Sequence, residues 1–203
     1  MKIGVLDYGL SNVGSIYSAF DFYNYDVSLV SQPEKLKEAD LIVLGGVGNF
    51  KTATSRLKEL RLWEALNEEV IIKKKRILGI CLGMQLFADV SYEDGETKGL
   101  GWIKGKVVKI EGDSVRVPHM GWNEIKPVRD ALLKGIHHNF FYFMHSYHFI
   151  PENKDIVLAT TNCGELHIAS AIMQDNILGV QFHPEKSQGD GLRFLRNFVE
   201  VLS

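Results

Sequence analysis

Short, almost wholly apolar runs alternate along this chain with stretches in which apolar residues return every three or four positions. Residues 2–7 read as a strand ending in an acid, a glycine-containing turn follows, and Val13, Ile16, Tyr17 and Phe20 mark one face of a helix over residues 11–24. The unit then repeats, with a strand at 26–30, a short helix at 33–38, and a continuous apolar strand at 40–44 that runs into Gly45, Gly46, Val47 and Gly48. Leu57, Leu60, Leu62, Trp63, Leu66 and Val70 predict a helical region over residues 51–74, and residues 76–80 form a fourth strand leading straight to Cys81. Alternating elements imply parallel strands, and runs without polar alternation imply a sheet covered on both faces.

Between residues 99 and 127 the character changes: β-rich pieces at 106–110 and 114–117, separated by Gly and Pro, predict an antiparallel excursion. Strand-like segments return at 140–144, 156–161, 169–173 and 177–181, the last running into His183, Pro184 and Glu185. A closing helix over 189–202 places Leu192, Leu195, Phe198, Val199 and Leu202 near one face. No internal repeat, low-complexity tract or linker interrupts the pattern. With 203 residues, 45% of them hydrophobic, the expectation is one domain over residues 1–203. Its architecture should be a three-layer α/β/α sandwich around a mixed, mainly parallel sheet.

Charge narrows the function classes. Lys and Arg number 23 against 25 Asp and Glu, a formal net charge of -2, so no broad field draws the chain to nucleic acid or to an anionic membrane. The opening apolar run is too short for a signal peptide, and no run approaches the roughly 20 residues needed to span a bilayer. A soluble cytoplasmic protein is expected, with Cys81 and Cys163 as free thiols.

The local pattern Gly79-Ile80-Cys81-Leu82-Gly83, directly after an apolar strand, matches a nucleophile elbow in which Cys replaces the commoner Ser. A helix from Leu82 onward would set backbone N–H groups beside the sulfur, where they stabilise a thiolate or an oxyanion. The plainer alternative is a buried cysteine next to turn glycines. A thiol of ordinary pKa is only a few per cent thiolate at neutral pH and needs a basic partner. Of seven histidines, His183 is best placed, because it follows a strand whose carboxyl end should reach the same sheet edge as Cys81. Glu185, across the rigid Pro184, can orient the imidazole. The glycine loop at 45–48 is either a cradle of backbone donors or a tight turn. The segment 117–123, which contains His119 and Trp122, is either a packed corner or a contact surface. A P-loop is excluded because no Gly-Lys-Ser/Thr follows the glycines, and no spaced Cys/His cluster suggests a metal site.

The segments 7–12, 45–50, 78–86, 117–123, 142–147 and 179–187 together resemble class I (triad) glutamine amidotransferases, over essentially the whole chain. More narrowly they resemble the glutaminase subunits of imidazole glycerol phosphate synthase in histidine biosynthesis. The resemblance implies that Cys81 attacks the side-chain amide of glutamine, His183 shuttles the proton and Glu185 holds the imidazole, with no cofactor. It assigns the oxyanion hole to Leu82 and the Gly46, Val47 and Gly48 loop. Gln85, Glu93, His145, Ser146 and Tyr147 would grip glutamine, and Glu93 suits the α-ammonium by charge. The implied partner is a (β/α)8-barrel cyclase subunit, met as a heterodimer through Asn12, Trp122, Tyr142 and Lys186. A related subunit feeding ammonia to another synthase, such as a sugar-amidating enzyme, is the alternative. The chain departs from the family pattern at Ser11, usually Gly, and Gly45, usually Pro. The freer backbone at Gly45 predicts glutaminase activity that depends less on the partner.

Overall fold

The computed structural model describes residues 1–112, 115–129 and 133–201. The chain opens with β1 (Lys2–Leu6), α1 (Val13–Asp21), β2 (Asp26–Val30), α2 (Pro33–Glu38), β3 (Leu41–Gly46), α3 (Phe50–Glu59) and α4 (Leu62–Leu66). A π-helical segment (Asn67–Ile72) leads into β4 (Arg76–Cys81) and a single helical turn, α5 (Leu82–Gln85). Then follow β5 (Val90–Ser91), β6 (Thr97–Lys98), β7 (Gly105–Lys109), β8 (His119–Pro127) and β9 (Phe140–His145). The chain continues through β10 (Tyr147–Pro151), β11 (Val157–Cys163), β12 (Leu166–Gln174), β13 (Ile177–Val180) and α6 (Gln188–Val201).

Among the described residues the larger sheet has nine strands in the order β2-β1-β3-β4-β13-β12-β11-β8-β9. Its half from β2 to β13 is parallel, and β12, β11, β8 and β9 continue it antiparallel. Successive strand side chains point to opposite faces. In β3, Leu41 and Val43 join Ile16 and Phe20 of α1 and Phe194 and Phe198 of α6, while Ile42 and Leu44 join Leu36 of α2, Leu57 of α3 and Leu62 of α4. Those two apolar layers make the α/β/α sandwich. Parallel register sets Gly46 opposite Cys81, and Val180 opposite Ile80, so β3, β4 and β13 deliver their carboxyl ends to one edge.

Three expectations need correction. The helix foreseen over 51–74 breaks at Arg61, which is left-handed with φ 57°. Buried Leu57 and Leu62 are five positions apart, out of helical phase, and the left-handed residue resets the face. The middle of the chain does not form one excursion. β7 pairs with β10 in a second sheet ordered β10-β7-β5-β6, whereas β8 joins the edge region of the main sheet. The strand foreseen over 114–117 begins at Ser114, outside the described residues, and Val115 to Val117 are not strand. Leu202, expected on the closing helix, also lies outside the described residues. Among the described residues no helix is long and apolar enough to cross a membrane.

Candidate active site

Cys81 ends β4 with φ 55° and ψ -108°, a conformation costly for any residue with a side chain. The surrounding packing enforces it. A Cβ on Gly79 would lie 2.7 Å from the backbone nitrogen of Met84, and one on Gly83 would overlap the Leu44 carbonyl. Only glycine lets strand and helix approach this closely on both sides of the nucleophile position. The helix foreseen after Cys81 is a single turn, so its macrodipole is small; what it supplies is the N–H of Leu82 at its first position.

His183 lies just beyond β13, on the same edge. Its backbone N–H donates to Tyr142 O at 2.8 Å, and its carbonyl accepts from Ser187 Oγ at 2.6 Å, which in turn accepts the Tyr142 N–H at 3.0 Å. The His183-Pro184-Glu185 turn is thereby fastened to β9. Nδ1 donates to Glu185 Oε1 at 2.8 Å, with both side chains almost fully buried. Nε2 is buried without a hydrogen bond of full geometry, as is Glu185 Oε2. Burial pushes the imidazole toward neutrality, but the neighbouring Cys81 and the Glu185 carboxylate outweigh it and raise the pKa to about 10. His183 is thereby suited to take up a proton beside the sulfur.

Cys81 opens onto a cleft of about 330 Å³ lined in part by Val47, Gly48, Leu82, Gln85, Glu93 and residues 144–147. All five residues expected to grip glutamine therefore line one cavity with the thiol. Their polar atoms are not equally available. Glu93 accepts the Phe50 N–H at 2.6 Å. Burial holds its carboxyl above the usual range, helped by Asp94 and opposed by the bonds from Phe50 and Asn49. A cation arriving there would relieve that cost. His145, by contrast, has both ring nitrogens engaged, with Tyr147 O at 2.8 Å and His119 at 2.9 Å, and burial pushes it down to about 3. Its neutral ring braces the 145–147 segment rather than presenting a polar atom to a ligand.

The glycine loop is more constrained than its composition implied. Tyr8 Oη donates to Gly45 O at 2.9 Å, and the space a side chain would occupy at Gly45 is filled by Ile16. The freedom expected at Gly45 is thus removed by packing, and with it the premise for weaker partner dependence. The Val47 N–H donates to Leu10 O at 2.7 Å, so in this conformation it is turned away from the cleft. Gly48, at φ 116°, is where the loop uses glycine's freedom.

Trp122 and Tyr142 face each other across β8 and β9, edge to face at 6.2 Å, and Lys186 Nζ lies 6.0 Å from the Tyr142 ring. These three form one surface patch, extended by exposed Met120 and Phe140. Asn12 stands at the start of α1, bonded to Ser15. A larger concavity of about 590 Å³ beside Trp122 and Phe140 is lined by His137, His138, Ser187, Asp190 and Arg193 and does not include Cys81. Among the described residues no His, Cys, Asp and Glu cluster could hold a metal ion. Sequence reasoning missed Gln181 and His119, since neither a glutamine after a strand nor a histidine in a loop has a local signature. Gln181 meets Cys81 and Gln85, and His119 meets His145, all far off in the chain.

A family model for glutamine amidotransferase class-I matches residues 4–202. The chain is 41% identical over 209 residues to imidazole glycerol phosphate synthase subunit HisH of Pelagibacter ubique, covering 99% of this chain and 100% of that one. It is 44% identical over 202 residues to subunit HisH 1 of Campylobacter jejuni (98% and 100% covered) and 42% identical over 201 residues to subunit HisH of Aquifex aeolicus (98% and 96%). Solved structures share its fold: a glutamine amidotransferase at TM-score 0.78 and 18% identity (98% and 97% covered), and one from Thermotoga maritima at 0.67 and 20% (100% and 84%).

Proposed function

The chain belongs to the class-I glutamine amidotransferase family, and from that premise we infer that it is the glutaminase subunit of an imidazole glycerol phosphate synthase in histidine biosynthesis. The observation that carries the chemistry is a strained Cys81 on the wall of a cleft, with the His183 and Glu185 pair buried behind it.

In the proposed reaction glutamine enters the cleft with its α-ammonium toward Glu93 and its side-chain amide toward Cys81. The proton of the thiol passes to His183 Nε2, and the sulfur attacks the amide carbon. The oxyanion formed is met by the Leu82 N–H and by a donor from the 46–48 loop, each well-aimed N–H being worth about 3 kcal/mol. His183 then gives its proton to the leaving nitrogen, ammonia departs, and water hydrolyses the thioester to glutamate. Glu185 keeps Nδ1 protonated, so that Nε2 is the nitrogen that exchanges the proton. The Val47 peptide must turn over before it can contribute, which gives a bound partner a means of raising the rate.

Ammonia is useful only if it reaches an acceptor without escaping to water. The partner is a (β/α)8-barrel cyclase seated against the patch of Trp122, Tyr142 and Lys186, with Asn12 at its margin, and the pair works in the cytosol. The names of the relatives, each a subunit of a synthase, support a two-component enzyme.

The test is glutamine-dependent ammonia release by wild-type and Cys81→Ala chains, each alone and with the barrel and its nucleotide substrate. A Cys81-dependent rate stimulated by the barrel is expected. Release indifferent to the barrel would assign another synthase, and release by Cys81→Ala would overturn the nucleophile.

A further inference from the structure

Two polar atoms approach the sulfur of Cys81 and have no part in the scheme above. Met144 O lies 3.8 Å from it and Gln181 Nε2 lies 3.6 Å away. A thiol donates to the first; a thiolate is repelled by that carbonyl and attracted by the second. Which end of the Gln181 amide faces the sulfur is dictated by its neighbours. Tyr147 O can only accept, so the Gln85 atom 2.8 Å from it is Nε2, whose other hydrogen is donated to Gln181 Oε1 at 3.0 Å. With its oxygen occupied, Gln181 presents N–H to the sulfur.

The anchor of this chain is itself fixed. Tyr147 O also accepts the Nδ1–H of His145 at 2.8 Å, so His145 Nε2 is an acceptor and takes the Nδ1–H of His119 at 2.9 Å. His119 Nε2 in turn accepts from Asn123 Nδ2 at 2.9 Å. Every donor direction follows from one carbonyl, and Gln85 and Gln181 are both buried, so water does not compete.

We propose that Gln181 is a further catalytic residue: its Nε2–H bonds the sulfur of Cys81 and favours the thiolate over the thiol, in an orientation held by Gln85 and the Tyr147 carbonyl. The proton leaves sulfur for His183, so the step is an internal transfer with no added reactant. A hydrogen bond to a charged acceptor is stronger than one to a neutral acceptor, which gives the bond its preference for the ion pair. The titratable groups around the sulfur are His183 with Glu185 beyond β13, Tyr8 after β1, His145 on β9 and Glu93 on the cleft wall. Gln181 is uncharged, so replacing it by another neutral residue leaves the local charge as it was.

This inference rests on Cys81 being the nucleophile, and its test does not use turnover. Iodoacetamide alkylation of Cys81 is followed against pH in the full chain, with peptides resolved so that buried Cys163 is counted separately. In Gln181→Met the midpoint should move up by about one unit, making the thiolate about tenfold scarcer at pH below it. Gln85→Met, which releases the Gln181 amide, should move it the same way by less. A Gln181→Met profile that superimposes on wild type at unchanged melting temperature overturns the inference. If Gln181→Met does not fold, the Gln85→Met profile decides by the same criterion. Retained ammonia release by Cys81→Ala would instead sink the glutaminase chemistry, independently of the alkylation result.

Discussion

The imidazole of His183 lies between a carboxylate 2.8 Å from Nδ1 and the sulfur of Cys81, and its raised pKa makes it a pH-dependent contributor to stability. A group that binds its proton more tightly when folded stabilises fully below its unfolded pKa of about 6.5 and loses that contribution as pH rises through the folded value. Because Cys81 supplies part of the rise to about 10, thermal melts should show the advantage of wild type over Cys81→Ala shrinking across that window. A constant difference would mean that the two side chains are not coupled. Glu93 works in the opposite direction. Its carboxyl is held above the usual range by burial, so affinity for glutamine should begin to fall at a higher pH than an exposed glutamate would allow. Glu93→Gln should raise KM about tenfold with a smaller change in kcat, since the proposed ammonium–carboxylate contact would be made in ground and transition states alike.

At the scale of elements, the turn after β4 and the loop after β3 divide the work between rigidity and movement. Gly83→Ala would drive a methyl group into the Leu44 backbone and should cost about 3 kcal/mol, visible as an earlier denaturant midpoint. Gly48 has open space around it, so Gly48→Ala meets no clash and suffers only from φ 116°. Stability should fall by about 1–3 kcal/mol, and glutaminase activity with partner present should fall further than stability explains, because in the proposed mechanism the Val47 peptide turns next to it. Equal losses with and without partner would deny the loop a part in activation. The π-helical segment is held by Glu69, buried and bonded to Lys73 at 2.7 Å and Lys75 at 2.8 Å. This is a structural ion cluster remote from the cleft.

For the whole molecule, the surface that bears on the proposed partner is the exposed face of β8 and β9, where Trp122, Met120 and Phe140 lie open beside Lys186. An aromatic side chain at the centre of an interface is worth about 2 kcal/mol or more, so on the proposed docking Trp122→Ala should weaken binding to the proposed barrel cyclase at least about thirtyfold, as titration calorimetry would measure. Much of the architecture was legible beforehand because local patterns carry it: the central strands β3, β4 and β13 are almost wholly apolar, and the elbow at Cys81 and the turn at His183 each sit within a few residues of a strand end. The pieces that escaped were β5, β6, β8 and β10, which become strands only by pairing with distant segments, and the break at Arg61, which resets an out-of-phase helix face. The sequence by itself determined which side chains could do the chemistry and which strand ends would carry them, since residue type and hydrophobic period are local properties. Only the tertiary structure decided that Val47 turns its N–H to Leu10, that His145 spends both nitrogens on the protein, and that Gln181 points a donor at the sulfur. Hydrogen-bond direction depends on atoms brought together from opposite ends of the chain.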